Sequence, residues 1–311
     1  MKTVGRSLAC IHGIKQPTGL RICIASWVCE RKWIVERAPE TCILCQTSER
    51  ELLIQKDNWT VHRCPTCGLG FLDPRPSESE IEDLYRSDYF SEQYDGGIDP
   101  DSLKYQKRLS GEQHRTKFIK SVKRSGYLLD IGCGYGYFLD ASRRRGYKVY
   151  GLDVSEWAAR YAVEKLGLSI TIGQIGNVSF PSQHFDIITM WHSLEHTPNP
   201  HIALQRAKSW LKQDGILVID VPNYDGTDAR SKWVEWVGWQ LPYHYWHFTL
   251  KSLKKLLDQH GFTIIKYKDY HSEVVKKKLK DIPIVSLFAR LIAKLYSGTS
   301  IAVIAKLEYL P

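Results

Sequence analysis

Leu128–Phe138 reads LLDIGCGYGYF, and the fold turns on this stretch. The apolar run Tyr127-Leu128-Leu129 ends in an acid, Asp130. Glycines follow at 132, 134 and 136, and an apolar, helix-compatible segment begins after them. That order predicts a buried strand, a tight turn and a helix start. Glycine lets backbone come close to a ligand because no Cβ intervenes. The helix N-terminus offers unpaired N–H groups to a carboxylate. The acid at the strand end can accept hydrogens from a ligand's ammonium or hydroxyl. The spacing Gly132-x-Gly134-x-Gly136 is not the GxGxxG of nicotinamide enzymes. A glycine-rich turn of this kind occurs in several α/β proteins, so the surrounding chain must decide.

Outward from this loop, strands and helices alternate. Strands are predicted at 127–131, 148–152, 169–172, 185–191, 215–221, 262–267 and 300–307. Helices are predicted at 136–145, 156–166, 201–211 and 250–260, with Ser155 as a cap and Gly167 and Gly261 as stops. Basic residues 274–280 and apolar residues 282–296 read as a further helical insertion, the latter an amphipathic helix broken by Arg290 and Lys294. Repeated β-α units imply an α/β, doubly wound parallel sheet. Residues 101–124 are charged, with Phe118, Ile119 and Val122 as apolar positions, and read as a helix leading into this domain. Before it, Ser77 starts a helix through Leu84-Tyr85 and Tyr89-Phe90 that ends at Asp95-Gly96-Gly97.

The chain has 311 residues, 43% hydrophobic and 25% charged, which is ordinary for a globular protein with a sizeable core. No uninterrupted apolar stretch is long enough to span a bilayer. The net charge of +9 permits nucleic acid, an anionic membrane surface or phosphorylated partners, without choosing among them. The positive charge is concentrated at residues 1–41 and 251–280; the rest of the chain is near neutral, and a solvated face explains either segment equally well.

Two cysteine pairs stand apart from the other thiols. Cys42-x-x-Cys45 and Cys64-x-x-Cys67 form two knuckles, and the interval between them suits a short β-hairpin. This is the four-thiolate pattern of a structural zinc site. Thiolate zinc fits a reducing, cytoplasmic setting. The expected organisation is therefore an extension over 1–40, a zinc ribbon over 41–75, a helical linker over 76–126 and the α/β domain over 127–311.

Leu-Asp-Ile ahead of GxGxG resembles motif I of the class I S-adenosylmethionine-dependent methyltransferases. Leu194-Glu195-His196 with Asn199-Pro200, and Lys208–Pro222 (KSWLKQDGILVIDVP), resemble the subfamily that contains ubiquinone-pathway O-methyltransferases and sugar C-methyltransferases. The resemblance extends over roughly residues 42–311 and implies a seven-stranded, Rossmann-like sheet with the last strand antiparallel. It also implies S-adenosylmethionine as methyl donor and a small-molecule acceptor. Bacterial relatives with a fused zinc ribbon imply a nucleotide-linked sugar or a polysaccharide precursor. Asp130, Gly132, Gly134 and Gly136 then face the donor. Asp153, at the end of the second strand, accepts from both ribose hydroxyls. Members often carry an acid after the third strand, where this chain has Gly173-Gln174-Ile175-Gly176-Asn177. Gln174 is the first candidate for the adenine edge and Asn177 the second.

For proton transfer the candidates are histidines, because imidazole titrates near neutrality. In zinc-containing sugar C-methyltransferases a Glu-His pair precedes the penultimate helix and its His acts as base. His244 matches that His, Tyr243 replaces the Glu, and His247 follows in the same segment. Packing in an aromatic wall is the plainer reading of both. His192 is the third candidate. His192, Glu195 and His196 together are candidates for a divalent metal, with helix capping as the plainer role. Trp233, Trp236, Trp239, Tyr243, Tyr245 and Trp246 form an aromatic-rich stretch suited to a sugar or ring acceptor, or to a packed lid. An RNA methyltransferase and a noncatalytic zinc-ribbon adaptor are the competing classes. Charge supports RNA, but no Asn/Asp-Pro-Pro-Tyr motif follows the fourth strand, and an intact motif I argues against an adaptor. Oligomeric state is not encoded in any motif here.

Overall fold

The computed structural model describes residues 33–77, 79–80 and 97–308. Described residues from Ile34 onward belong to one compact unit. The cysteine module opens with β1 (Val35–Glu36), then β2 (Glu51–Lys56), β3 (Trp59–Arg63), β4 (Gly70–Leu72) and β5 (Arg75–Pro76). β2 and β3 form the hairpin between the knuckles, and β4 adds antiparallel to β3. The Ser77 hydroxyl accepts from the Glu80 amide at 3.4 Å, as an N-cap does. The rest of the helix expected there, residues 81–96, lies outside the described residues, as do residues 1–32 of the expected extension.

The charged stretch forms two helices, α1 (Leu103–Gly111) and α2 (Gln113–Lys120), where one was expected. The break falls at Gly111-Glu112. Glu112 is buried there, with Arg108 and Arg115 on its carboxylate at 2.9 and 3.0 Å. Both are local pairs, at i,i+4 and i,i+3, that hold the Glu112 carboxylate at the junction of the two helices.

The sheet comprises β6 (Tyr127–Ile131), β7 (Lys148–Asp153), β8 (Ser169–Ile172), β9 (Phe185–Trp191), β10 (Leu211–Pro222), β12 (Phe262–His271) and β13 (Ser297–Leu307). Its order is β12-β13-β10-β9-β6-β7-β8. Six strands run in the same direction, and β13 is antiparallel to both its neighbours. The central strands β6, β9, β10 and β13 are apolar almost throughout because both faces are covered, while the edge strands β8 and β12 are largely exposed or half-buried. On one face Leu128, Ile187 and Val218 pack with Ile119 and Leu139. Their chain neighbours Leu129, Ile188 and Ile219 point the other way, onto Leu204 and Leu256. Each such side chain contributes roughly 1.5–3 kcal/mol by leaving water.

Helices α3 (Tyr137–Arg143), α4 (Glu156–Leu166), α5 (Pro200–Trp210), α6 (Thr227–Lys232) and α7 (Leu250–Gln259) connect the strands. Asn199 caps α5, with Pro200 in its first turn, and Thr249 and Ser252 make a reciprocal capping box on α7. β10 starts at Leu211, earlier than residue 215. Leu211 pairs with Phe185 before a register shift that lets out Lys212–Gly215. The expected 282–296 helix is instead a 3-10 turn at Val285–Phe288 and a short helix, α9 (Ala289–Ala293), after α8 (Glu273–Lys280). Pro283, and Ile284 at φ 71°, interrupt it.

A two-residue strand, β11 (Trp246–His247), leaves the α/β sheet and pairs antiparallel with β4 of the cysteine module. Trp246 lies opposite Phe71 and His247 opposite Gly70, where a Cβ would come within 2.9 Å of the His247 Cβ. His201 Nε2 and Gln259 Nε2 reach the Ile43 and Leu44 carbonyls at 2.9 and 2.8 Å. The module is thereby stitched to α5, to the end of α7 and, through β11, to the segment just ahead of α7.

Candidate active site

A cavity of about 500 Å3 opens at the carboxyl ends of β6, β7, β9 and β10. Of the expected donor residues, Asp130, Gly132, Gly134, Asp153 and Gln174 line it. Gly136 and Asn177 do not. Gly136 is the left-handed cap of α3 at φ 75°, and a Cβ there would meet Leu168 Cδ1 at 2.6 Å, so it serves close packing against the α4–β8 turn. Asn177 is exposed; its amide donates to the Gln174 carbonyl at 3.0 Å and closes the turn that presents Gln174. Gly132, at φ 77°, leaves room for a neighbour: a Cβ would lie 2.4 Å from Ser193 Cβ. The loop glycines thus serve strand-end packing as well as approach to a ligand.

The two acids are prepared differently. Asp130 pairs in register with Thr189 of β9, whose hydroxyl donates to its Oδ1 at 2.6 Å. Burial pushes the Asp130 carboxyl up to about 7, against the pull of Thr189 and Arg115. Asp153 is also buried and raised for that reason, but its oxygens accept from the Gly134 amide at 2.6 Å and the Ser155 amide at 2.8 Å. Each oxygen keeps a second lone pair for a hydroxyl. A buried acid beside a glycine turn and a second acid at the next strand end fit an aminoacyl nucleoside with an ammonium and a ribose.

Arg108, Glu112 and Arg115 also line the cavity, from α1 and α2. The Arg115 guanidinium lies over the Trp191 ring at 5.1 Å. Sequence reasoning missed these three. Their only signal was a charged helix ahead of the glycine loop, and nothing in its spacing pointed inward.

The histidines separate on geometry. His192 and His244 line the cavity; His247 does not. His192 follows β9 in a left-handed conformation, φ 52°, and 41% of its side chain is accessible. Its Nδ1 stands 3.5 Å from Glu195 Oε1 and its Nε2 3.8 Å from Asp220 Oδ1. Burial opposes the charged ring, but those carboxylates outweigh it and hold its pKa above the usual value. His244 Nδ1 lies 3.0 Å from the Gly238 carbonyl, which can only accept, so Nδ1 carries the hydrogen and Nε2 is the lone pair. Burial, with the His196 and His247 rings nearby, pushes His244 well below the usual range. His247 is buried against the Trp239 ring at 5.1 Å, and burial takes it down to about 3.

The group whose ligand atoms converge differs from the His192, Glu195 and His196 set expected for a divalent metal. Glu195, His196 and His244 bring ligand atoms within 4.8 Å of one another, and His192 is not part of the group. The cause is the 243–245 segment folding onto the 3-10 turn Leu194–His196: Tyr245 N donates to the Glu195 carbonyl at 3.0 Å, and the His196 ring meets the His244 ring edge-on at 4.5 Å.

None of the six aromatic residues of the 233–246 stretch lines the cavity. Trp236 and Trp239 pack edge to face at 5.2 Å, and Trp246 Nε1 donates to the Thr197 carbonyl at 2.8 Å. They support a wall whose inner surface is Val237, Gly238 and Gln240.

Cys42, Cys45, Cys64 and Cys67 converge with all four sulfurs within 4.8 Å. Cys42 and Cys67 are 3.5 Å apart and Cys45 and Cys64 3.3 Å, well beyond a disulfide bond. A tetrahedral zinc with bonds of about 2.3 Å sets its sulfurs roughly 3.8 Å apart, so the cage fits that ion. The knuckles match: Gln46 N donates to the Cys42 carbonyl and Gly68 N to the Cys64 carbonyl, both at 2.9 Å.

A methyltransferase-domain family model matches residues 104–267. A ubiquinone biosynthesis O-methyltransferase from Glaesserella parasuis is 41% identical over 106 residues, 31% of this chain and 45% of that protein. One of the same name from Coxiella burnetii is 29% identical over 116 residues, 35% of this chain and 50% of that protein. The chain thus spans about half the length of the curated relatives it matches. A SAM dependent methyltransferase from Archaeoglobus fulgidus superposes with a TM-score of 0.51 at 21% identity, covering 70% of this chain and all of that one, a likeness of fold. The family model spans more than half of the chain, and the chain belongs to the methyltransferase-domain family.

Proposed function

We propose that this protein transfers a methyl group from S-adenosylmethionine to a hydroxyl of a small-molecule acceptor, with His192 taking the hydroxyl proton. The observation that carries the reading is His192 itself. It opens into the cavity between two buried carboxylates, Glu195 and Asp220, at the strand ends that also present Asp130 and Asp153. When bound, the donor supplies a methyl group already activated on a sulfonium. The chain then has to align the acceptor and remove one proton. The flanking carboxylates favour the imidazolium that results, so His192 is a stronger base than an isolated imidazole. His244, held neutral by burial, suits a hydrogen-bonding role toward the acceptor better than that of base. Arg108 and Arg115, shared by Glu112, are placed to receive the donor's carboxylate.

The curated relatives carry O-methyltransferase names, which agrees with a hydroxyl acceptor. A nucleotide-linked sugar rests on less: it comes from the resemblance to relatives with a fused zinc ribbon, and the aromatic stretch suited to a sugar does not line the cavity. In the same reading the four cysteines hold one structural zinc, and the ribbon's task is to brace the 242–248 segment through β4 and β11. The test is label transfer from methyl-labelled S-adenosylmethionine to a panel of phenolic, sugar-nucleotide and RNA acceptors. A phenolic or sugar hydroxyl should take label, and His192→Gln should abolish this while donor affinity stays within about threefold. Labelling of RNA alone, or full turnover in His192→Gln, refutes the proposal.

A further inference from the structure

Between β12 and β13 the chain leaves the sheet as α8, the 3-10 turn at Val285–Phe288 and α9. This hairpin is firmly seated. The Asp228 carboxylate, buried on α6, accepts from the Ser272 hydroxyl and from the Glu273 and Val274 amides at 3.2 and 3.3 Å, and so caps α8. Ala289 and Ala293 turn their small side chains inward. The large apolar side chains point the other way. Ile284, Leu287 and Leu295 are 77%, 81% and 83% exposed, with Phe288 and Leu291 more than half exposed beside them. Leu287 in the 3-10 turn, Leu291 on α9 and Leu295 just past it follow one another along this one hairpin, so the exposed side chains are clustered in the chain and not scattered over the surface.

The same segment is cationic. Residues 273–296 carry Lys276, Lys277, Lys278, Lys280, Arg290 and Lys294 against Glu273 and Asp281. Exposed apolar side chains on a lysine- and arginine-rich segment, in helices far too short to span a bilayer, have the chemistry of a surface that lies in the plane of an anionic membrane. Charge also weighs against two other occupants. A second copy presenting the same face would bring its own lysines against these. Residues 1–41 are themselves basic, seven Lys/Arg against three Asp/Glu.

We infer that the 273–296 hairpin docks the protein on an anionic lipid surface, Ile284, Leu287, Leu291 and Leu295 entering the interface and the segment's cations meeting lipid phosphates. The hairpin's anchor, α6, leads into the Val237–Gln240 wall of the cavity, and Thr299, just after α9, lines it. Docking therefore sets the cavity close to the bilayer, where an amphiphilic acceptor would collect.

The test is co-sedimentation of the full chain with vesicles of phosphatidylcholine alone or with about 30 mol % phosphatidylglycerol, since each cation near an anionic surface adds roughly fivefold to binding. Wild type should pellet with the anionic vesicles and release as salt rises. Leu287→Ser/Leu291→Ser/Leu295→Ser should lower the partition coefficient at least tenfold while the thermal shift given by S-adenosylhomocysteine is unchanged. Lys277→Glu/Lys278→Glu should do the same at low salt, the loss shrinking at high salt. Wild type that stays in the supernatant, or a triple-serine variant that pellets like wild type, overturns the inference. So does a wild-type dimer by light scattering that the triple-serine change makes monomeric without any vesicle binding, which assigns the face to a second copy.

Discussion

Donor binding should strengthen with pH through about 7, and Asp130 should be the reason. Its carboxyl is buried at the end of β6, and burial raises it to about 7 in the unliganded protein. The groups that face it are Arg115, which lowers it, Glu112 and Asp153, which raise it, and the Thr189 hydroxyl, which stabilises the charged form. An incoming ammonium needs the carboxylate, so the protein must first release the proton. At pH 8 about nine-tenths of the sites are ready and at pH 6 about one-tenth, which makes affinity roughly tenfold lower at pH 6, or about 1.4 kcal/mol. Below that the loss is roughly tenfold per pH unit. Stability of the free protein moves oppositely: a carboxyl raised by folding contributes stability that is lost as pH rises towards its folded value. The ligand's thermal shift should therefore grow with pH. Calorimetry of S-adenosylhomocysteine binding at pH 6 and 8, in buffers of different ionisation enthalpy, should find nearly one proton released at pH 6 and almost none at pH 8. Asp130→Asn should flatten the profile near its weak, low-pH limit. His192 also has a raised pKa and lines the cavity, so His192→Gln is the control and should keep most of the slope. A flat wild-type profile, or a slope that survives in Asp130→Asn and vanishes in His192→Gln, refutes the assignment.

The other expectations test the rest of the site. Asp153→Ala removes an acceptor that also orders the Gly134 amide; calorimetry should show donor affinity weakened by about 1.5–3 kcal/mol for each charge-assisted hydrogen bond lost. His247→Ala should leave kcat close to wild type and lower the melting temperature, because the ring packs on Trp239 away from the cavity; a kcat loss above about tenfold would give it a role in turnover. Metal analysis of protein purified without chelator should find about one zinc per chain, absent from Cys42→Ser/Cys67→Ser. That variant should lose acceptor turnover more than donor affinity, since β4 pairs with the segment that carries His244 and not with the glycine loop; equal losses would mean that the whole unit unfolds.

What the sequence made legible was local. Alternating apolar runs and turn residues place each strand of the sheet to within a few residues, because parallel strands covered on both faces have little choice of composition. The glycine loop and Asp153 are equally local: strand, turn and helix start are contiguous, and the acid ends the next strand. Register then carries them into one cavity without further information. The histidines were a different matter. His192, His244 and His247 look alike in a list of residues, and only tertiary packing sorts them. A left-handed residue at the end of β9 turns His192 toward the cavity between Glu195 and Asp220. The β4–β11 pairing turns His247 into the core. The aromatic stretch left an acceptor surface and a packed lid open for the same reason: tryptophans packed behind a wall and tryptophans facing a ligand share a composition, and only the fold shows Trp236 packed on Trp239 away from the cavity. Arg108 and Arg115 were invisible because a charged helix gives no sign of which side is wet until its burial partner, Glu112, is placed. The cysteine knuckles announce a metal, yet their spacing says nothing of their neighbour. The fold supplies that link. The edge strand β4 of the cysteine module is paired by β11, the two residues after His244 and Tyr245, and Tyr245 in turn holds the Glu195 carbonyl. The cysteine module therefore braces the part of the cavity that carries His244, while the glycine loop, the strand ends, Gln174 and the arginines of α1 and α2 line it elsewhere.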